Sequence, residues 1–309
     1  MPTCPNCGSV QPEGTIICSC GTTLRIKEMD DERVAGALAE ELMRENINIL
    51  ISRAKRLEEK GEYLEAIELY YDVLAIDPRW PAVPRKIGNA YFKAGLYEKA
   101  LDEYYNGCNG ENDFTTQRAI GNALFELERY DEAIEHYQTA VNIVENSGYY
   151  NPHLDERFTN DAKKVKEFEK KEAMRLKEKN ELLSGIYNEI GWAYNAKADY
   201  DNAIEYYEKA IYHDHDRANN WNCKAIALEN KGEFADAVKF YEIALKMNPE
   251  DEVIRNNRVQ CLKNYARAYR NGTYTKKCES LREALELTDG AEVSNVSGNL
   301  GHVILDFDE

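Results

Sequence analysis

The sequence predicts an all-α repeat array preceded by a small metal-bound domain, and three observations carry that reading. Residues 190–210 read IGWAYNAKADYDNAIEYYEKA, a frame of Gly191, Tyr194, Tyr200, Ala203, Tyr207 and Ala210. The frame recurs four more times. Its small residue returns as Ala54, Gly88, Gly121 and Ala225, and its alanine as Ala66, Ala100, Ala133 and Ala237. Its aromatics return as Tyr63/Tyr70, Tyr97/Tyr104, Tyr130/Tyr137 and Phe234/Tyr241. From Ala66 onward the steps are 34, 33, 70 and 34 residues, and the 70-residue step exceeds the 34-residue period by 36. A fixed period of this length marks stacked supersecondary units. Secondly, Gly61, Gly95 and Gly232 interrupt the frame, and Pro78 and Pro249 close it, as expected where helices break and end. Thirdly, Cys4, Cys7, Cys18 and Cys20 crowd the first twenty residues.

The repeat resembles the tetratricopeptide repeat, and the resemblance covers about 47–147 and 184–251. It implies a solenoid of antiparallel helix pairs, in which the alanines mark close helix crossings and the aromatics fill the space around them. The aligned tyrosines are therefore core residues.

Composition limits the function classes. A formal charge of −17 over 309 residues, with a sequence pI near 4.9, disfavours a general binder of nucleic acid or anionic membrane. No apolar run approaches the roughly 18 residues that span a bilayer, and the opening MPTCPNC lacks the basic and apolar regions of a secretory signal. The expected location is cytoplasmic, where eight cysteines are metal ligands or buried thiols and not disulfides.

In chain order, residues 1–27 hold the pairs Cys4/Cys7 and Cys18/Cys20, each followed by a glycine. Four thiolates suit tetrahedral Zn²⁺ in a closed structural site. So short a segment buries too little to fold alone, so the metal would supply its folding free energy. The segment looks like a CPxCG-type zinc ribbon with a tightened Cys-x-Cys knuckle. Residues 28–46 form a leading helix, with Val34, Leu38 and Leu42 at helical spacing, running into the first helix of repeat one. Repeats one to three occupy 47–147, and Cys108 is expected as a buried thiol. His136 is expected as an outward-facing surface histidine.

Residues 148–183 are a charged insertion, with nine Lys/Arg against eight Asp/Glu between Asp155 and Glu181. Such mixed charge favours a solvated helix, continuing into repeat four. It reads as a spacer or as a second docking surface. Repeats four and five occupy 184–251. Between them, His213-Asp214-His215-Asp216 reads as a polar turn, with a loop metal cluster as the alternative. Residues 252–288 form a degenerate sixth repeat or cap, and 289–309 a flexible tail whose acidic, apolar end HVILDFDE is a candidate to dock near Arg85 and Arg118.

The tetratricopeptide resemblance implies a concave groove lined by the first helices. Carried over, it assigns Arg85, Asn89, Phe92 and Lys93 in repeat two, with Lys86 beside them, and Arg118, Asn122 and Phe125 in repeat three. Repeat four contributes Asn188, Trp192 and Asn195, and repeat five Asn222 and Ile226. Arg85 and Asn89 match half of a carboxylate clamp found in some relatives; Ala119 breaks the other half. The implied function is a protein-interaction adaptor that binds a peptide or protein segment. The alternative is a nucleic-acid or transcription-machinery contact through the zinc ribbon. No glycine-rich phosphate loop, G-x-S-x-G or H-E-x-x-H is present, so no enzyme activity is expected. The sequence does not fix the oligomeric state.

Overall fold

The computed structural model describes residues 32–80, 83–107, 113–146 and 162–272. The four amino-terminal cysteines, Cys108 and the acidic tail lie outside the described residues. The chain divides into two compact units, 1–95 and 96–309, so the division falls inside repeat two.

The first unit contains α1 (Glu32–Lys60), α2 (Tyr63–Ile76) and α3 (Val83–Lys93). The leading helix and the first helix of repeat one are a single 29-residue helix, as the proline-free run from 28 to 60 permits. Ile47 and Ala54 of α1 bury against Ala66, Tyr70 and Val73 of α2 and Val83, Ile87 and Ala90 of α3. This core turns on the small residues. Ala54 and Ala66 let α1 and α2 approach, and the Tyr70 ring fills the wedge beside them.

The second unit contains α4 (Tyr97–Gly107), α5 (Phe114–Glu126), α6 (Tyr130–Asn146), α7 (Ala162–Ala196), α8 (Tyr200–His213), α9 (Ala218–Lys231), α10 (Phe234–Met247) and α11 (Glu252–Arg270). Each packs on the next along the chain. The described part of the insertion, from residue 162, continues into repeat four as expected, the two forming one helix of 35 residues, α7. Its described side chains from Lys166 to Glu178 are exposed, apart from half-buried Glu172. They carry the pairs Lys171–Glu167, Arg175–Glu172 and Lys177–Glu181, as mixed charge at helical spacing dictates. The region expected as a degenerate sixth repeat or cap opens with α11, with Ile254, Cys261, Leu262 and Tyr265 buried.

The framework is uniform. Tyr70, Tyr137, Tyr207 and Tyr241 are each no more than 2% exposed. Five inter-helix turns share one hydrogen bond, from Gly61, Gly95, Glu128, Ala198 or Gly232 N–H to the carbonyl three residues earlier. All five residues have positive φ, between 59° and 88°. Glycine takes this conformation without cost; Glu128 and Ala198 do not.

Candidate peptide-binding faces

In the first unit the assigned residues lie on α3. Asn89 and Lys93 are exposed, while Arg85, Lys86 and Phe92 are half-buried. Lys93 Nζ bonds Glu58 Oε2 of α1 at 3.0 Å and stands over the Tyr63 ring at 5.9 Å. Glu58 Oε1 also accepts from Tyr70 Oη at 2.7 Å, so this carboxylate serves the framework and the surface together. Burial first, then Lys55, Arg85 and Lys93, lowers the Lys86 pKa against the opposing pull of Glu58. A basic patch therefore sits on a strongly acidic chain.

In the second unit the first helices of the repeats are α5, α7, α9 and α11. Arg118 of α5 grips Glu189 of α7, its Nε 2.9 and 2.8 Å from the two carboxylate oxygens and its Nη2 2.5 Å from Oε1. This bond raises the Arg118 pKa. Asn122 accepts from Tyr137 Oη at 2.7 Å. Phe125 meets Tyr130 edge-on at 5.4 Å, and Trp192 meets Tyr207 likewise at 6.4 Å. Asn188 is buried, 7% exposed. It donates to Asn220 Oδ1 at 3.2 Å and accepts from the Cys223 thiol. Its place is in the helix-packing layer, not on an open surface.

Side-chain amides tie these helices together. Besides Asn188 to Asn220, Asn230 donates to Asn195, Asn257 to Asn222 and Asn264 to Glu229. The asparagines assigned to a binding face in repeats four and five thus spend their groups on the next repeat. Recurrence of asparagine one repeat apart was the signal for this, and repeat consensus hid it.

His136 is not an outward-facing surface residue. It is half-buried, with Nε2 3.0 Å from Tyr105 Oη and Nδ1 2.7 Å from Gln117 Oε1. Helix α6 turns that side chain toward α4 and α5, and burial lowers its pKa. His213 stacks on Tyr187 at 5.5 Å and faces Asn180, whereas His215 pairs with Asp216. Among the described residues no three His, Cys, Asp or Glu side chains group to hold a metal ion. Cys223 and Cys261 are buried thiols, and burial pushes Cys223 up to about 11. No described helix is long and apolar enough to cross a membrane.

Sequence reasoning missed Arg217 and Gly185. Arg217 is exposed at the N-cap of α9 without capping it. A Cβ on Gly185 of α7 would lie 3.6 Å from Arg118 Nη2 and 3.9 Å from Arg217 Nη1. An arginine where helices prefer Ser, Thr, Asp or Asn was the available signal.

Family models described as tetratricopeptide repeat match residues 115–147, 184–214 and 218–251. The chain carries these repeats on α5–α6, α7–α8 and α9–α10. No curated protein matches the chain in sequence. A tetratricopeptide repeat protein from Parabacteroides merdae is similar in structure at 14% identity and TM-score 0.53, covering 81% of this chain and 87% of its own. The pilF protein of Pseudomonas aeruginosa is similar at 14% identity and TM-score 0.51, covering 82% and 93%. MamA of Desulfovibrio magneticus RS-1 is similar at 14% identity and TM-score 0.50, covering 67% and 97%. These likenesses establish an all-α tetratricopeptide solenoid fold.

Proposed function

We propose that this chain is a protein-interaction adaptor that binds an extended peptide or protein segment on the first-helix faces of its repeats. One observation carries the reading: the framework repeats while the face does not. Tyr137, Tyr207 and Tyr241 are equivalent and buried alike. The matching face positions that are not buried read Arg118, Asn122 and Phe125 in one repeat, Trp192 and Asn195 in the next, then Ile226, with Asn188 and Asn222 drawn into the helix packing. A scaffold needs only the framework; variation on a partly exposed face supplies selectivity. Arg85, Asn89, Phe92 and Lys93 form the corresponding face of the first unit. Tetratricopeptide arrays are scaffolds, and the reading assigns no catalytic residue.

The test is capture from cell extract with wild type and with Arg85→Ala and Arg118→Ala variants of unchanged Tm. The captured partner's binding segment is then measured by calorimetry. A segment that binds wild type and loses about tenfold or more in a variant, the scale of one charge-assisted contact, supports the reading. Equal affinity in both variants and in Trp192→Ala sinks it.

We further propose that Cys4, Cys7, Cys18 and Cys20 hold one structural Zn²⁺. The donor set fits on chemistry: four thiolates close a tetrahedral shell and leave no open position for a substrate. The metal would supply folding free energy to residues 1–27.

A further inference from the structure

Tyr105 of α4, Gln117 of α5 and His136 of α6 come from three helices and meet in one line of hydrogen bonds. Gln117 Oε1 lies 2.7 Å from His136 Nδ1. A carbonyl oxygen only accepts, so the ring proton sits on Nδ1 and Nε2 keeps its lone pair. Tyr105 Oη lies 3.0 Å from that nitrogen and donates to it. The order is that of a nucleophile, a base and a group that orients the base. Burial runs the same way: Gln117 and His136 are half-buried, whereas Tyr105 is 51% exposed. The repeat frame does not ask for the arrangement, because the positions matching His136 are Leu69, Glu103, Tyr206 and Phe240.

We infer that Tyr105 is a nucleophile served by His136, and that it is a modification site taking an acyl group from an uncharged, activated acyl donor. The inference is independent of the adaptor reading. Burial lowers the His136 pKa against Glu135 and Glu132, so the ring is neutral at pH 7 and free to take a proton. Burial, aided by Glu132 and opposed by Arg129, raises the Tyr105 pKa. A standing phenolate is thereby disfavoured, and the proton leaves as the new bond forms, the step that a hydrogen-bonded base assists. Tyr105 Oη attacks the acyl carbonyl carbon while its proton passes to His136 Nε2. The bond from that carbon to the leaving oxygen or sulfur breaks, and His136 returns the proton to the leaving group. The products are the Tyr105 ester and a free alcohol, phenol or thiol, with no change of oxidation state. Gln117 is a positioning residue that fixes the tautomer. Glu132 and Glu135 repel an anionic donor, and Arg129 spends its guanidinium on Glu132.

The experiment treats the full chain with p-nitrophenyl butyrate and follows acylation of each tyrosine by peptide mass spectrometry. Tyr212 is the internal reference: it is 83% exposed and meets His213 edge-on, ring to ring, at 5.2 Å. Tyr105 is expected to acylate about a hundredfold faster than Tyr212. Its rate should be level from pH 7 to pH 9, whereas a phenol without a base gains about tenfold per pH unit there. His136→Gln should bring Tyr105 to the rate and the slope of Tyr212. Gln117→Met should slow it and Gln117→Glu, which keeps an acceptor, should restore it; each variant is first checked for unchanged Tm. The half-ester p-nitrophenyl succinate, with the same leaving group and an anionic acyl part, should react several-fold more slowly. Tyr105 reacting no faster than Tyr212, sharing its slope, or keeping its rate in both His136→Gln and Gln117→Met overturns the nucleophile. Equal or faster reaction with the anionic ester overturns the donor class.

Discussion

Gly191 and Tyr207 touch where two helices cross: a Cβ on Gly191 would lie 2.5 Å from Tyr207 Cε1 and 2.7 Å from Cδ1. The same contact recurs one repeat earlier, with Gly121 and Tyr137 Cε1 again at 2.5 Å. Both rings are buried and cannot yield. Gly191→Ala and Gly121→Ala are each expected to destabilise by about 1–3 kcal/mol through overpacking, read as a lowered urea midpoint. Gly185→Ala is the control within α7. Its Cβ would meet only ordinary contacts, so helix propensity alone acts and stability should rise by about 0.5–1 kcal/mol. Equal effects at 185 and 191 would refute the crossing.

The four framework tyrosines are alike in ring burial but not in hydroxyl partner. Tyr70 donates to Glu58, Tyr137 to Asn122 and Tyr241 to Glu229. Among the described residues, the buried Tyr207 hydroxyl has no partner. Trp192 and Asn195 take the equivalent positions in repeat four, and Asn195 is engaged with Asn230. Tyr137→Phe should cost about 1 kcal/mol, while Tyr207→Phe should be neutral or stabilising because it removes an unmet polar group. Chemical denaturation of the two variants side by side distinguishes them.

The inter-helix turns offer a stabilising change. Ala198 holds φ at 60° where three other turns use glycine, and it is exposed. Ala198→Gly relieves left-handed strain of about 1–2 kcal/mol, partly offset by the entropy glycine gains in the unfolded chain. A net rise of several tenths to about 1 kcal/mol is expected in thermal melts.

Two histidines should make stability depend on pH. Burial lowers the pKa of His136, opposed by Glu135 and Glu132, and that of His213, opposed by Glu145 and assisted by Lys179. At these two histidines the folded chain therefore binds fewer protons than the unfolded chain. Their contribution is complete above the ordinary value of 6.5 and is lost as pH falls from there through the depressed folded values. A His136→Gln/His213→Asn double variant should flatten the stability–pH curve just below 6.5. An unchanged slope would show that other groups set it.

Zinc removal has a local expected outcome. Purified chain should carry one Zn²⁺ per molecule by elemental analysis, lost in a Cys4→Ser/Cys7→Ser variant. Since α1–α3 and α4–α11 bury cores of their own, the helical melt should persist while residues 1–27 become sensitive to protease. Zinc retained in the variant would remove these cysteines as ligands.

The framework was legible because packing dictates residue size. Ala66, Ala133, Ala203 and Ala237 must be small and Tyr70, Tyr137, Tyr207 and Tyr241 must be large, and that requirement repeats with the fold. The faces were legible only in part. Position in the frame correctly put Arg118 and Trp192 on first helices, but said nothing of Glu189, which holds Arg118, or of Asn220, which draws Asn188 inside. Pairings across a repeat depend on two residues 32 to 71 positions apart, and no local pattern reports them. His136 was misplaced for the same reason: its partners, Tyr105 and Gln117, come from two other helices. Nothing local marks the surroundings of Gly185 either: the Arg118 and Arg217 guanidinium groups near it come from α5 and the start of α9.

The continuity of α7 has a mechanical consequence. At about 1.5 Å per residue, Lys166 and Glu189 lie on one rod roughly 35 Å apart. The outer stretch of that rod is solvated, while its inner stretch carries the Arg118 contact and the core of repeat four. A load applied at the outer end is delivered as torque on the seat of Glu189. What the sequence presents as an insertion between two repeats is, over its described length, the outer end of a rod seated in one of them.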